Sequence, residues 1–120
     1  MAENEKSKAL KLILAIVQRG RADDLVKAAI RAGAPAATVW HGRGQGIRER
    51  LGLLGLAIQP EKEVVLIVVE EWLLDAVVAA MVKEGKLDQP GIGIIFVLPV
   101  ERAVGMVAAA EQGSAAASSG

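Results

Sequence analysis

Three stretches of this chain are apolar at consecutive positions, so each would present hydrophobic side chains on both faces of a sheet. They read LKLILAIV from Leu10, EVVLIVV from Glu63 and GIIFVLPV from Gly93. In an antiparallel sheet with one solvent-exposed face, apolar and polar residues instead alternate along each strand. These stretches therefore predict strands of a sheet that is covered on both faces.

Two further segments have apolar residues every three or four positions, which predicts helices. They read RADDLVKAAIRAG and EEWLLDAVVAAMVKEG, with Gly33 and Gly85 expected at the first position after each helix. AATVW supplies a fourth strand. The order is βαβ, a long connection, then βαβ. Interleaving the halves gives an α+β, ferredoxin-like βαββαβ fold with a four-stranded antiparallel sheet and two helices on one face.

Two helices can cover only one face of that sheet. The other face would expose an apolar patch larger than monomers usually carry. A neighbouring copy of the chain is the expected cover. The alternative cover is the long connection or the C-terminal segment folded over the same face.

Composition excludes several classes of function. The 120 residues suit one domain, which we expect at 9–107 between a disordered stretch at 1–8 and a low-complexity tail at 108–120. Zero net charge and three aromatic residues argue against a nucleic-acid binder. Without cysteine, and with serines only at Ser7 and in the tail, neither disulfides nor a serine triad is expected. No signal peptide or membrane span is predicted, so cytoplasm is the expected compartment.

Two glycine-rich turns could hold a ligand. HGRGQG places Gly42 and Gly44 beside Arg43 and Gln45, and EGKLDQPGIG precedes the last strand. Glycines let backbone N–H groups converge on an anion, and an arginine adds charge. The alternatives are a flexible turn at the first site and an ordinary helix-to-strand connection at the second.

The segment between the first turn and the third strand is apolar for a loop. Ile47, Leu51 and Leu54 fall on one helical face. One interpretation is a short helix packed on its own subunit or a neighbour. The other is an element that docks on a partner protein.

Taken in order and spacing, these features resemble the P-II nitrogen-regulatory signalling family over roughly residues 10–106. The resemblance rests on LKLILAIVQRGRADDLVKAAIRAG, the glycine-rich exit from strand two, VVEEWLLDAVVAAMVKEGK and GIGIIFVLPVE. It implies homotrimers that bind nucleotides in clefts between subunits. It also implies a T-loop at 42–62 that contacts a target protein, a transporter or an enzyme, and a B-loop at 84–93.

The carry-over of the family's phosphate contacts is partial. Ile94 stands where the B-loop lysine is expected, and Gly105 and Val107 stand where two arginines are expected; Gly46 replaces a glutamine, and the chain has no tyrosine to uridylylate. Each charge-assisted hydrogen bond is worth about 1.5–3 kcal/mol, so losing three would weaken binding more than about a thousandfold. ATP is not expected to bind in the family's way.

The resemblance, with Arg43, Lys86 and Arg102 as substitute cations, leaves a less charged adenine nucleotide or a small anion as the candidate effector. No cofactor is fixed by the sequence. The predicted ligand-binding residues are Gly42, Arg43, Gly44, Gln45, Lys86, Gly91, Gly93 and Arg102.

The leading hypothesis is a non-enzymatic trimeric sensor that regulates a partner protein through the loop after strand two. The alternative is a trimeric divalent-metal-binding protein of CutA type, in which His41 would join carboxylates of a neighbour. A small enzyme is also conceivable on this fold. However, Glu63, Glu70, Glu71 and Asp75 form no evident acid–base pair.

Overall fold

A computed structural model describes residues 8–44 and 61–106 of the chain. Within them the elements are four strands and two helices. They are β1 (Leu10–Gln18), α1 (Ala22–Arg31), β2 (Thr38–Arg43), β3 (Glu61–Glu70), α2 (Glu71–Gly85) and β4 (Gly93–Pro99).

The strands form one antiparallel sheet in the order β2-β3-β1-β4. β3 pairs with β2 on one side and β1 on the other, and β4 pairs with the free side of β1. The two βαβ halves are therefore interleaved. This architecture confirms the predicted α+β, ferredoxin-like arrangement of four antiparallel strands and two helices.

One face of the sheet carries the hydrophobic core. Ile13, Val65 and Ile67 point into it and are at most 1% exposed. Leu25 of α1 and Met81 of α2 belong to the same cluster of buried residues, so both helices pack on this face. Burial of such side chains contributes about 1.5–3 kcal/mol each and is the main stabilisation of the domain.

The opposite face, which we call the open sheet face, is apolar and lies outside this core. The strand register places its residues in rows across the sheet. It comprises Thr38, Trp40 and Gly42 of β2; Lys62, Val64, Leu66 and Val68 of β3; Leu12, Leu14 and Ile16 of β1; and Ile94, Phe96 and Leu98 of β4. Trp40, Ile94 and Phe96 are 45–46% exposed. The prediction of strands with two apolar faces is confirmed.

The two helices end differently. Gly33 follows α1 with φ of 119°, as the sequence predicts. Gly85, expected outside α2, is instead its last residue, and Lys86 adopts the left-handed conformation with φ of 54°. The reason is packing, because a Cβ on Gly85 would lie 3.0 Å from both Leu25 and Leu87 side-chain carbons.

Strand β2 begins two residues later than AATVW suggests and runs into the glycine-rich turn. Gly42 pairs with Lys62 and Arg43 pairs with Glu61. The ends of the predicted 42–62 loop therefore belong to the sheet, and residues 45–60 lie outside the described part.

Glu70 is buried where β3 meets α2. Its Oε1 accepts a hydrogen bond of 2.7 Å from the Trp72 indole N–H, and the carboxylate lies at the helix N-terminus, where the helix dipole favours negative charge. This contact joins the strand to the helix that directly follows it. Neither described helix is long and apolar enough to cross a lipid bilayer.

Candidate functional site

A cavity of about 380 Å³ lies at the end of the sheet where β1 and β2 finish and β3 and β4 begin. We call it the end cavity. Its lining comprises Ile16, Val17 and Gln18; Gly42, Arg43 and Gly44; Lys62 and Val64; and Gly91, Ile92, Gly93 and Ile94. The volume and the mostly apolar wall are typical of small-molecule sites.

The end cavity brings together five of the eight residues predicted to bind a ligand. These are Gly42, Arg43, Gly44, Gly91 and Gly93. The two glycine-rich turns, about fifty residues apart in the chain, therefore meet at one place. They do so because β2 ends and β4 begins at the same end of the antiparallel sheet.

The other three predicted residues lie elsewhere. Lys86 starts the connection that leads to Gly91 but does not line the end cavity. Arg102 follows β4, whose last residue, Pro99, pairs with Lys11 at the start of β1. At about 3.4 Å per residue, that end of β4 is roughly 20 Å from Gly93. Gln45 falls outside the described residues.

Lys62 lines the end cavity and was not among the predicted site residues. Alternation along β3 puts Lys62, Val64 and Leu66 on the open sheet face, and that periodicity was the available signal. The pairing of Lys62 with Gly42, which brings the lysine to the cavity, could not be predicted from the sequence.

Cationic charge in the end cavity is low. Among the residues that the structure describes, Arg43 and Lys62 are the only charged ones in its lining. Lys62 belongs to the open sheet face, on which the cavity lies, whereas Arg43 pairs with Glu61 on the helix-covered side. These two side chains offer positive charge to an anionic ligand.

The fold requires glycine at only two of the four described glycine positions that line the end cavity. Gly91 has φ of 81°, and a Cβ on Gly93 would lie 2.9 Å from the Ile16 carbonyl oxygen, so the fold requires both. Gly42 and Gly44 have no such need within the described part of the chain, where a Cβ on them would meet nothing nearer than 3.8 Å and 3.9 Å, respectively. Glycine inside a strand often marks close approach of a ligand or another chain.

The end cavity is continuous with the open sheet face. Val64, Ile16 and Ile94 line the cavity and also form, with Trp40, one row of that face. Whatever covers the face will border the cavity. A ligand in the cavity would therefore lie against the same aliphatic row as the covering chain.

Glu63 fixes the helix-covered side of this end of the sheet. Its Oε1 accepts hydrogen bonds from the backbone N–H of Gly20 at 2.8 Å and of Ala22 at 2.9 Å. Arg21, the N-cap residue of α1, makes no side-chain cap. Glu63 thus caps α1 from a neighbouring strand, and its Oε2 lies 3.7 Å from His41 Nε2.

Replacing Glu63 with alanine is expected to lower the free energy of unfolding by about 1–3 kcal/mol, because the Ala22 N–H loses a charged acceptor. Replacing His41 with alanine should cost less than about 1 kcal/mol, since that ion pair is long and its imidazole is exposed. Urea denaturation at equal chain concentrations measures both. Equal losses in the two variants would contradict the capping role.

Among the described residues, no group of three or more His, Cys, Asp or Glu side chains is placed to hold a metal ion. His41, the residue on which the metal hypothesis rests, has Glu63 as its ion-pair partner. The described contacts of Glu63 and His41 therefore support capping of α1 and give no support for a metal centre.

Sequence comparison gives one assignment. Residues 10–108 match the family described as nitrogen regulatory protein P-II. The match covers both helices and all four strands, and both turns of the end cavity fall inside it. A comparison with curated proteins finds no match.

Proposed function

The chain belongs to the nitrogen regulatory protein P-II family, and from this premise we propose that it is a cytoplasmic, non-enzymatic sensor of nitrogen status. A small effector, an adenine nucleotide or a small anion, binds the end cavity. The bound effector then changes how the loop after β2 engages a target protein, which is a transporter or an enzyme.

One observation carries the effector part of the proposal. Two glycine-rich turns converge on a cavity, and Gly42 and Gly44 leave space that the fold itself does not require. Arg43 and Lys62 belong to the same lining. Such an arrangement offers backbone N–H groups and a cation to an anionic ligand while its apolar wall holds an uncharged body.

Assembly as a homotrimer is the second part of the proposal. The open sheet face supports it, because its apolar rows need a cover and a second copy carries the same rows. Three copies with these faces turned inward would place each end cavity beside a neighbouring subunit. The cavity then becomes a cleft between subunits.

Arg102 gains a role only in such an assembly. Within one chain it lies beyond the far end of β4 from the end cavity. In the trimer we propose, Arg102 and Lys86 contribute from around the cleft, Arg102 from a neighbouring copy. Gln45, which follows Gly44 in the sequence, is assigned to the same proposed site.

The loop at 42–62 is the proposed output of the sensor. Its two ends are held in the sheet by the Gly42–Lys62 and Arg43–Glu61 pairs, and both ends line or adjoin the end cavity. An effector can move the loop only by binding its two states with different affinity. A tenfold change in target binding needs about 1.4 kcal/mol of coupling.

Isothermal titration of the full chain against ATP, ADP, AMP, 2-oxoglutarate and bicarbonate tests the proposal. We expect at least one of these compounds to bind more tightly than millimolar. Lys62→Ala should weaken that binding, and Lys27→Ala on the solvent side of α1 is the matched control. If none of the panel binds more tightly than millimolar, the sensor proposal fails.

A further inference from the structure

We propose that residues 100–106, directly after β4, form a strap that closes the far end of the open sheet face, and that the buried carboxylate of Glu70 makes this closure easy to open. The far end is the one opposite the end cavity, where β1 and β2 begin and β3 and β4 end. The inference goes beyond the proposed function and concerns a different part of the fold.

The first attachment of the strap lies beside the start of β1. The Val100 N–H donates a hydrogen bond of 3.1 Å to the Leu10 carbonyl oxygen. This bond directly follows the Lys11–Pro99 pair, which is the last pair between β1 and β4. It fixes the point at which the chain leaves the β4 edge of the sheet.

The second attachment lies near the opposite edge of the sheet. Met106 lines a cavity of about 220 Å³ together with Thr38 of β2, Leu66 and Val68 of β3, and the turn at 35–37. The three strand residues belong to the open sheet face, so the strap has crossed that face from the β4 edge towards β2. Three strand spacings are about 14 Å, and six extended residues reach about 20 Å, so the strap is long enough for this crossing.

The burial pattern of β3 supports a cover at the far end. Leu66 and Val68 are half-buried, whereas Glu70, the next residue on the open sheet face by alternation, is 2% exposed. The strap itself is exposed at residues 101–105, between its two attachments. A segment held mainly at its ends has few buried contacts to break, so it can open without unfolding the domain.

Glu70 opposes closure of the strap. Its Oε1 accepts the hydrogen bond from the Trp72 indole, but its Oε2 is buried and has no hydrogen-bond partner among the described residues. Burial of a carboxylate oxygen without a donor is unfavourable, and an open strap would let water reach it. The N-terminus of α2 favours the charge whether the strap is open or closed. The apolar contact of Met106 and the burial of Glu70 therefore act in opposite directions.

A closed strap leaves the rest of the open sheet face to a second copy of the chain. That remaining part includes Trp40, Ile94 and Phe96, which are 45–46% exposed. This consequence rests on the proposed trimer, whereas the strap itself does not.

The experiment is limited digestion of the full-length protein with trypsin, in which mass spectrometry follows cleavage after Arg102 in the strap and after Arg31 at the end of α1. At limiting trypsin, the rate of cleavage after Arg102 reports the population of open strap. We expect Met106→Ser to raise this rate about tenfold, because the apolar contact that holds the strap is lost. Val104→Ser introduces the same residue at an 83% exposed position of the strap and should leave the rate unchanged.

Glu70→Gln tests the opposing contribution. The glutamine retains an acceptor for the Trp72 indole, and a neutral amide is less costly to bury than a carboxylate. We expect cleavage after Arg102 to slow by about threefold or more. Cleavage after Arg31 should be the same in all variants.

Equal cleavage after Arg102 in the unaltered protein and Met106→Ser would overturn the strap, as would an equal acceleration after Arg31, which reports unfolding of the whole domain. Unchanged or faster cleavage in Glu70→Gln would overturn the role of Glu70. Met106→Ser should also keep the sedimentation mass of the unaltered protein, since a lower mass would place residues 100–106 in the subunit interface instead. A failure of the proposed trimer, by contrast, would leave these cleavage rates as predicted.

Discussion

Phe96→Glu is expected to convert the protein from a trimer to monomers. Phe96 lies in the middle of the open sheet face, opposite Leu14, and is 46% exposed within one chain. In a trimer its ring would be buried against neighbouring copies. The introduced glutamate in each of the three subunits would bury one unpaired charge, at a cost of about 3–5 kcal/mol per charge. We expect this total cost to exceed the free energy of association.

Sedimentation equilibrium measures this outcome. Phe96→Glu should give the mass of one 12.5 kDa chain, whereas the proposed trimer of the unaltered protein should give three times that mass. Val104→Glu, which places the same charge 83% exposed beyond β4, should leave the mass unchanged. Far-UV circular dichroism should remain similar, because the core lies on the other face of the sheet. Should Phe96→Glu precipitate, Leu98→Glu tests the same face.

A trimeric mass for Phe96→Glu would mean that copies associate through another surface. The open sheet face would then need a different cover, such as the connection or the C-terminal segment of the same chain. That outcome would also move the end cavity away from the subunit boundary, because the cavity and the face share Ile16, Val64 and Ile94.

Gly42→Val is expected to abolish effector binding without loss of stability. The new side chain has room in the described fold, since its Cβ would lie 3.8 Å from Val64. Valine also suits a strand better than glycine does, by about 0.5–1 kcal/mol. The added methyl groups would occupy the end cavity, so affinity should fall by more than about tenfold.

Gly93→Ala, unlike Gly42→Val, is expected to destabilise the fold. Its Cβ would lie 2.8 Å from Leu87 and 2.9 Å from the Ile16 carbonyl oxygen, and backbone cannot give way cheaply. We expect a loss of about 1–3 kcal/mol in the free energy of unfolding.

His41→Val is the control for Gly42→Val. It introduces a valine at the neighbouring position of β2, whose side chain lies on the helix-covered side of the sheet. If Gly42→Val unfolds the protein or leaves binding intact, Gly42 is not a clearance position for the effector.

The two-faced strands and the helix periodicity were enough to predict the elements and their antiparallel, interleaved arrangement. Both signals are local, and hydrophobic burial enforces them over many residues. The end of α2 was mispredicted because the cause is tertiary. Gly85 is glycine to let Leu25 and Leu87 approach, and this leaves Lys86 in the left-handed position that a glycine usually takes.

For the site, the glycines could be predicted from the sequence, but the residues that surround them in the fold could not. Gly42 and Gly91 are conspicuous in a sequence, but Lys62 becomes a site residue only through its pairing with Gly42. The sequence also could not distinguish glycines that the fold needs from glycines that it does not. That distinction depends on what surrounds each Cβ position, and it is what separates Gly93 from Gly42.

The central claim is that the open sheet face joins three copies and so turns the end cavity into a cleft between subunits. Sedimentation equilibrium of the unaltered full-length chain at micromolar concentration tests it most directly. The account predicts a single species of three times the 12.5 kDa chain mass. A monomer at that concentration would contradict the assembly and the shared site together.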